Sequence, residues 1–235
     1  MKNLLLLLSL CAFFDIFAQD TTFTIENYRI DLRQFTLTVS NVNSKVYDKT
    51  FFSPMGYSLD MNNDGIEELI ISDYQQIAGF EYYTIYVFNT SGSFYQTDSI
   101  YSGLKEPYFI YQDEIEALVL VTGSPDFDSM NSTGLETAFS PLTCWCFDDS
   151  SLAIVNDRLY DIFLEENTNN IAVLKLFYEE QGKDCRITEI MKPVIASIYI
   201  NYIRADETAM AERTISQYYY CDDREKFRQV LINLL

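Results

Sequence analysis

Between Phe35 and Ser40 apolar and polar residues alternate with period two, Phe35, Leu37 and Val39 against Thr36, Thr38 and Ser40. That is the pattern of a strand with one buried face. Tyr82 to Phe88 is rich in β-branched and aromatic residues and reads as a second strand. The turn-forming run Asn89-Thr90-Ser91-Gly92-Ser93 follows it and leads into Phe94-Tyr95, which predicts a hairpin. Glu116 to Thr122 forms another strand, stopped at Gly123-Ser124-Pro125. From Thr21 to about Val121 the chain is therefore mostly strand. Residues 123–143, rich in Gly, Ser, Thr, Pro and Asp, read as a long surface loop.

The period changes in the last third. Asp206 is placed to cap a helix through Ala209, Met210, Ile215 and Tyr218. Asp222 is placed to cap a second, with Phe227, Val230, Leu231, Leu234 and Leu235 at helical spacing. Ile171 to Glu180 fits either strand or helix, as does Ile187 to Ile203, which contains Pro193. No repeat of 20–50 residues is visible. The expected architecture is α+β: a β-rich module over 19–165, then a mixed to helical part over 166–235.

Residues 1–18 carry a different signal. Met1-Lys2-Asn3 is a short basic start, and Leu4 to Ala18 is apolar apart from Ser9 and Asp15. That order predicts a secretory signal peptide cut after Ala18, and hence a periplasmic or secreted protein. The stretch is too short for a comfortable membrane span, so no span is expected in the mature chain. Leu8-Ser9-Leu10-Cys11 has the outline of a lipoprotein box. Leu10 is too bulky for that role, and the apolar run continues past Cys11, so a soluble exported protein is the expectation.

Export changes the meaning of the cysteines. Cys11 leaves with the signal, and Cys144, Cys146, Cys185 and Cys221 remain. An even number in an oxidising compartment suggests two disulfides, with three possible connectivities. Cys144 and Cys146 would point to one face of a strand, each able to seek its own partner. Bridges from them to Cys185 and Cys221 would tie the middle of the chain to its C-terminal part. A four-cysteine zinc site and plain buried thiols are the alternatives.

One segment carries recognisable ion chemistry. In Asp60-Met61-Asn62-Asn63-Asp64-Gly65-Ile66-Glu67-Glu68, oxygen side chains recur at loop positions 1, 3 and 5, before a glycine and a carboxylate at position 9. Calcium takes about 6–8 oxygens at about 2.3–2.6 Å, so alternate side chains of a tight loop must converge. Asp60, Asn62, Asp64 and Glu68 are candidate ligands, with the Ile66 carbonyl as a fifth. An EF-hand would need a glutamate at position 12, where Ile71 stands, and Leu69-Ile70-Ile71 reads as a buried strand. The alternative is an Asx-rich turn that binds nothing.

Gly56 to Ile71, with this loop at its centre, resembles an FG-GAP/VCBS-type repeat, the calcium-loop blade of integrin α-subunit propellers and of many exported bacterial proteins. The resemblance implies a structural calcium held by Asp60, Asn62, Asp64, Ile66 and Glu68. With a single copy, it implies one blade-like antiparallel sheet rather than a closed propeller.

Composition narrows the function. The 235 residues are 48% hydrophobic, too apolar for a disordered chain. A formal charge of −19 excludes a phosphate backbone as ligand and disfavours anionic membranes. Lys2 and Asp15 cancel within the signal segment, so the mature charge is the same. With no histidine, Ser–His–Asp triads, Cys–His dyads and His-ligated zinc are excluded. The expectation is an exported, non-catalytic binding protein with a calcium-stabilised β module, whose partner is a basic protein or a glycan. An acidic periplasmic inhibitor or immunity-type protein that neutralises a basic partner is the alternative. A carboxylate-based glycosidase is the third. Asp126, Asp128 and Asn131 form a weaker oxygen cluster. The pairs Asp148-Asp149, Glu165-Glu166 and Glu179-Glu180 read as solvated faces, and Tyr218-Tyr219-Tyr220 as helix-end packing.

Overall fold

The computed structural model describes residues 15–17, 21–131, 138–148 and 151–235, with Asp15–Phe17 and Asp148 described by backbone alone. The protein is α+β, with three antiparallel sheets followed by helices. Most of the predicted signal peptide, Cys11 included, lies outside the described residues. Its Asp15–Phe17 portion forms a short strand, β1.

The chain divides into two compact units. The first comprises 1–75, 84–100 and 149–151, and the second comprises 76–83, 101–148 and 152–235. In the first unit, β2 (Thr21–Ile25), β3 (Tyr28–Arg33), β4 (Thr36–Ser40) and β5 (Lys45–Thr50) form a four-stranded meander. The alternation predicted over Phe35–Ser40 holds for Leu37 and Val39, which face inward with Tyr28, Ile30 and Leu32 of β3, whereas Phe35 is exposed in the turn before β4. Gln34 and Phe35, both at positive φ, make the two-residue turn between β3 and β4. This is the primed turn that matches strand twist, built here without glycine.

A second sheet has the order β1, β6 (Pro54–Leu59), β7 (Glu68–Ile77), β8 (Phe80–Asn89), β9 (Tyr95–Gly103). The unit boundary cuts through β7, β8 and β9. Leu69 and Ile71 of β7 and Phe88 of β8 join the meander's inward residues and Phe51 in one core. Aromatic pairs complete it: Tyr47 packs edge-on to Phe88 at 5.2 Å, and Phe94 stacks on Phe88 at 5.5 Å. The predicted hairpin around Asn89–Ser93 is therefore the β8–β9 turn, and its Phe94 reaches the core.

The second unit holds, apart from Ser151, a sheet of β10 (Tyr108–Gln112), β11 (Ala117–Gly123), β12 (Leu142–Asp148) and β13 (Ser151–Ile154). Its helices are α1 (Tyr160–Gln181), α2 (Cys185–Arg204), α3 (Thr208–Tyr218) and α4 (Arg224–Asn233). Val119, Val121, Leu142 and Cys144 pack with Ile162 and Phe163 of α1. The ambiguous segments are both helical. Ile171 to Glu180 lies in α1, and Ile187 to Ile203 is most of α2, buried on nearly all sides from Met191 to Tyr202. That burial explains the unclear period, since an enclosed helix shows no polar stripe.

Four expectations are corrected. The run 123–143 is not loop throughout: Pro125–Met130 is a 3₁₀ helix that buries Phe127, and β12 begins at Leu142. Asp206 does not cap α3; it sits at positive φ in the preceding turn, and Glu207 occupies the cap position. Asp222 does not cap α4 either. Asp223 precedes that helix and instead accepts a hydrogen bond from the Tyr219 hydroxyl at 2.8 Å. Finally, Cys185 is bonded to Cys221 and not to a cysteine of β12, while Cys144 and Cys146 remain thiols. The bridge joins the start of α2 to the segment between α3 and α4, both within the helical part.

Candidate metal centre

The acidic loop leaves β6 at Asp60 and enters β7 at Glu68. The side chains of Asp60, Asn62, Asp64 and Glu68 turn back on the loop's own amides. Asp60 accepts from the Asp64 amide at 3.1 Å through Oδ1 and from the Gly65 amide at 2.9 Å through Oδ2. Asn62 Oδ1 accepts from the Asp64 amide at 3.2 Å, and Asp64 Oδ1 from the Ile66 amide at 2.8 Å. The Asn62 amide nitrogen donates to Asp64 Oδ2 at 3.1 Å. Asn63 and Gly65 both lie at positive φ, which winds the loop tightly enough for residues 60, 62 and 64 to share its inner side.

Glu68 closes the loop from the other end. It is 2% exposed, and its Oε2 accepts from the Met61 amide at 3.0 Å. Burial pushes its carboxyl up to about 7; the Met61 hydrogen bond opposes the rise, and the nearby Asp64 and Asp60 charges add to it. Among the described residues no Lys or Arg forms an ion pair with Asp60, Asp64 or Glu68. Glu67, next to Glu68, points elsewhere: it accepts from the Ser58 hydroxyl, and its carbonyl accepts from Thr90.

The donor set is all oxygen, which suits a hard cation. The positions suit it less directly. The carboxylates of Asp60, Asp64 and Glu68 do not all lie within 4.8 Å of one another, so the loop as it stands is closed by its amides. A single ion would have to bring the three carboxylates closer together.

No known protein family, curated protein or solved structure matches this chain. Function has to be read from its own residues.

The other sequence candidates separate. Asp128 turns to the Leu104 amide at 3.3 Å, whereas the Asn131 side chain both donates to and accepts from the Phe139 backbone, at 2.9 and 2.8 Å. They do not form one oxygen site with Asp126. Asp149 lies outside the described residues. Glu179 and Glu180 are exposed on α1. In the tyrosine triplet, Tyr219 is fully buried against Phe227 at 4.7 Å, and Tyr220 packs edge-on to Tyr178 at 5.2 Å.

Glu165 and Glu166 are a different case. Together with Asp161 they line a groove of about 280 Å³ bounded by Tyr108 and Gln112 of β10. Glu166 is paired with Lys105 at 2.7 Å. Burial, with the Glu166 charge next in weight, raises the Tyr108 hydroxyl well above its ordinary range. The sequence signalled the acidic pair but not the groove, because β10 and α1 lie some fifty residues apart in the chain. Among the described residues, no helix is long and apolar enough to cross a membrane.

Proposed function

We propose that the protein is an exported, non-catalytic binding protein whose β module is stabilised by calcium at Asp60, Asn62, Asp64, the Ile66 carbonyl and Glu68. One observation carries the reading: a nearly fully buried carboxylate, Glu68, stands near Asp60 and Asp64, and among the described residues no Lys or Arg forms an ion pair with any of them. Three acids in that position repel one another unless a proton or a cation intervenes. Extracellular calcium saturates even weak sites, with dissociation constants of about 10⁻⁴–10⁻³ M. When bound, calcium would supply charge neutralisation and a fixed β6–β7 connection.

The test is thermal melting of the full chain with calcium and with chelator. Calcium at about a hundredfold over its dissociation constant should stabilise the chain by about 2.7 kcal/mol. Asp60→Ala and Asp64→Ala should abolish that gain. An equal melting temperature with and without calcium in the parent chain, or a gain surviving in both variants, ends the calcium reading.

The groove between β10 and α1 favours a second reading, an inhibitor or immunity-type protein that receives a basic partner. Asp161 and Glu165 lie one helical turn apart on one face of α1, with Glu166 beside them, and would meet a lysine or arginine side chain there. Salt-sensitive binding of a basic protein that is lost in Asp161→Asn with Glu165→Gln would support it. Binding unchanged in that double variant would remove the groove from consideration.

A further inference from the structure

Beside the Cys185–Cys221 bond stands a third potential ligand. Cys185 is the first residue of α2, and Glu189 is four positions on, one turn along the same face. Cys221 lies in the segment leading from α3 to α4. Both sulfurs and one Glu189 oxygen lie mutually within 4.8 Å, and the Cys221 sulfur is 3.6 Å from Glu189 Oε1. It is the only such group of cysteine and acidic side chains among the described residues. Tetrahedral zinc, with Zn–S of about 2.3 Å and Zn–O of about 2.0–2.2 Å, places its ligand atoms about 3.5–3.8 Å apart. The Cys221 sulfur–carboxylate distance already has that value. The two sulfurs need to part to reach it.

We propose that these three residues are a metal site in waiting. On reduction of the disulfide, the Cys185 and Cys221 thiolates and the Glu189 carboxylate hold a zinc-class divalent cation, with water in the fourth position. A dithiol reductant supplies two electrons and two protons, giving two cysteine thiols and the reductant's own cyclic disulfide. Metal binding then releases both thiol protons to solvent. Cys185 is exposed while Cys221 is 6% exposed, so an incoming thiolate attacks the Cys185 sulfur and expels that of Cys221. The N-terminal end of α2 favours negative charge on Cys185. The Asp184 carboxylate, which caps this helix end, is committed to the Ile187 amide at 2.9 Å.

Glu189 is held in place by Lys192, whose ammonium lies 2.6 Å from Oε1 and also over the rings of Tyr219 and Phe227, at 5.8 and 5.6 Å. Lys192 is therefore a resident competitor for the metal's carboxylate ligand. The two states share one consequence, since the start of α2 stays linked to the α3–α4 segment, by a covalent bond when oxidised and by the ion when reduced. The proposal goes beyond the calcium loop and does not depend on it.

The test uses the full chain, reduced with a phosphine, freed of reductant without air, and titrated with Co²⁺. Thiolate ligation gives charge-transfer absorption in the near ultraviolet, and oxygen ligands elsewhere in the chain do not. The expected result is a saturable band in the reduced chain, none in the disulfide form, and its loss on adding Zn²⁺. Glu189→Gln keeps both cysteines and should weaken cobalt binding by at least about tenfold, since even outer partners of a metal site account for that much. Lys192→Met should tighten it. The proposal is overturned if the reduced chain gives no band, or if Glu189→Gln binds as the parent does. It is also overturned if the band survives in Cys185→Ser, which would assign it to Cys144 and Cys146. Circular dichroism on each sample reports folding, and binding to unfolded thiols would be indifferent to Glu189 and so counts against the site.

Discussion

The Glu68 carboxylate accepts a hydrogen bond from the Met61 amide at 3.0 Å, so the first residue of β7 holds the beginning of the loop that precedes it. The contact is made by an acid that burial keeps largely protonated below about pH 7. In Glu68→Gln an amide oxygen can accept the same hydrogen bond without the buried charge. The variant should be more stable than the parent at pH 8 in chelator, by about 1–2 kcal/mol, because the parent there carries an ionised carboxylate among two others. It should also lose any gain from calcium. Urea unfolding of both chains, with and without calcium, reads the two effects separately.

Asp128 offers a pH test away from that loop. Burial, partly opposed by the Leu104 amide and reinforced by Asp126, pushes its carboxyl from 3.8 up to about 6. Between those values the folded chain holds a proton that the unfolded chain has released. Its contribution is therefore fully present below about pH 4 and lost as pH rises through 6. Asp128→Asn keeps an acceptor for the Leu104 amide and removes the ionisation. Relative to the parent, the variant should gain about 1–2 kcal/mol between pH 4 and pH 7, less than the full shift because solvent screens a half-buried group. Denaturant melts at the two pH values give the difference, and a constant offset between the chains would refute the assignment.

How far these features were legible follows from where their information lies. The strand at Thr36–Ser40 is legible in the sequence because alternation is local, and so is the turn at Asn62–Gly65, because Asn-Asp-Gly is a turn signal on its own. The α2 segment is not, because a helix buried all round shows no stripe, and Pro193 within it argues against a helix locally. The sequence leaves the pairing of Cys185 with Cys221 open among three connectivities, because spacing gives a count and not a pairing. The caps fall one residue later than expected: Asp222 and Asp223 are equivalent on sequence grounds, and Glu207 takes the position ahead of α3 without a side-chain cap, against the preference for Asp. The β10–α1 groove depends on packing between distant segments.

Packing of that kind also produces a buried amide with a single task. Asn201 on α2 is fully buried, and its Oδ1 accepts from the Leu142 amide at 2.9 Å, tying α2 to the first residue of β12. Among the described residues its Nδ2 finds no hydrogen-bond partner. Asn201→Ala leaves the Leu142 amide without its acceptor inside the core, and should destabilise the chain by about 1–3 kcal/mol. Asn201→Asp retains the acceptor but buries a charge, so it should be worse than alanine at pH 8 and should recover as pH falls. Equal stability of the alanine variant and the parent in urea would show that the Leu142 amide finds another acceptor.

The last prediction concerns the covalent link. Cys185 and Cys221 are 36 positions apart, a loop whose closure in the unfolded chain corresponds to about 3–4 kcal/mol of stabilisation on chain-entropy grounds. Cys185→Ser with Cys221→Ser should therefore lower unfolding stability by about 2–4 kcal/mol. The loss should be independent of calcium, because the bridge lies in the helical part and the acidic loop between β6 and β7. The reduced parent chain without metal should match the double variant in urea, and adding Zn²⁺ should raise the reduced parent alone. A double variant as stable as the oxidised parent would show that packing around Tyr219, Phe227 and Tyr178 suffices to hold the α2 start against the α3–α4 segment.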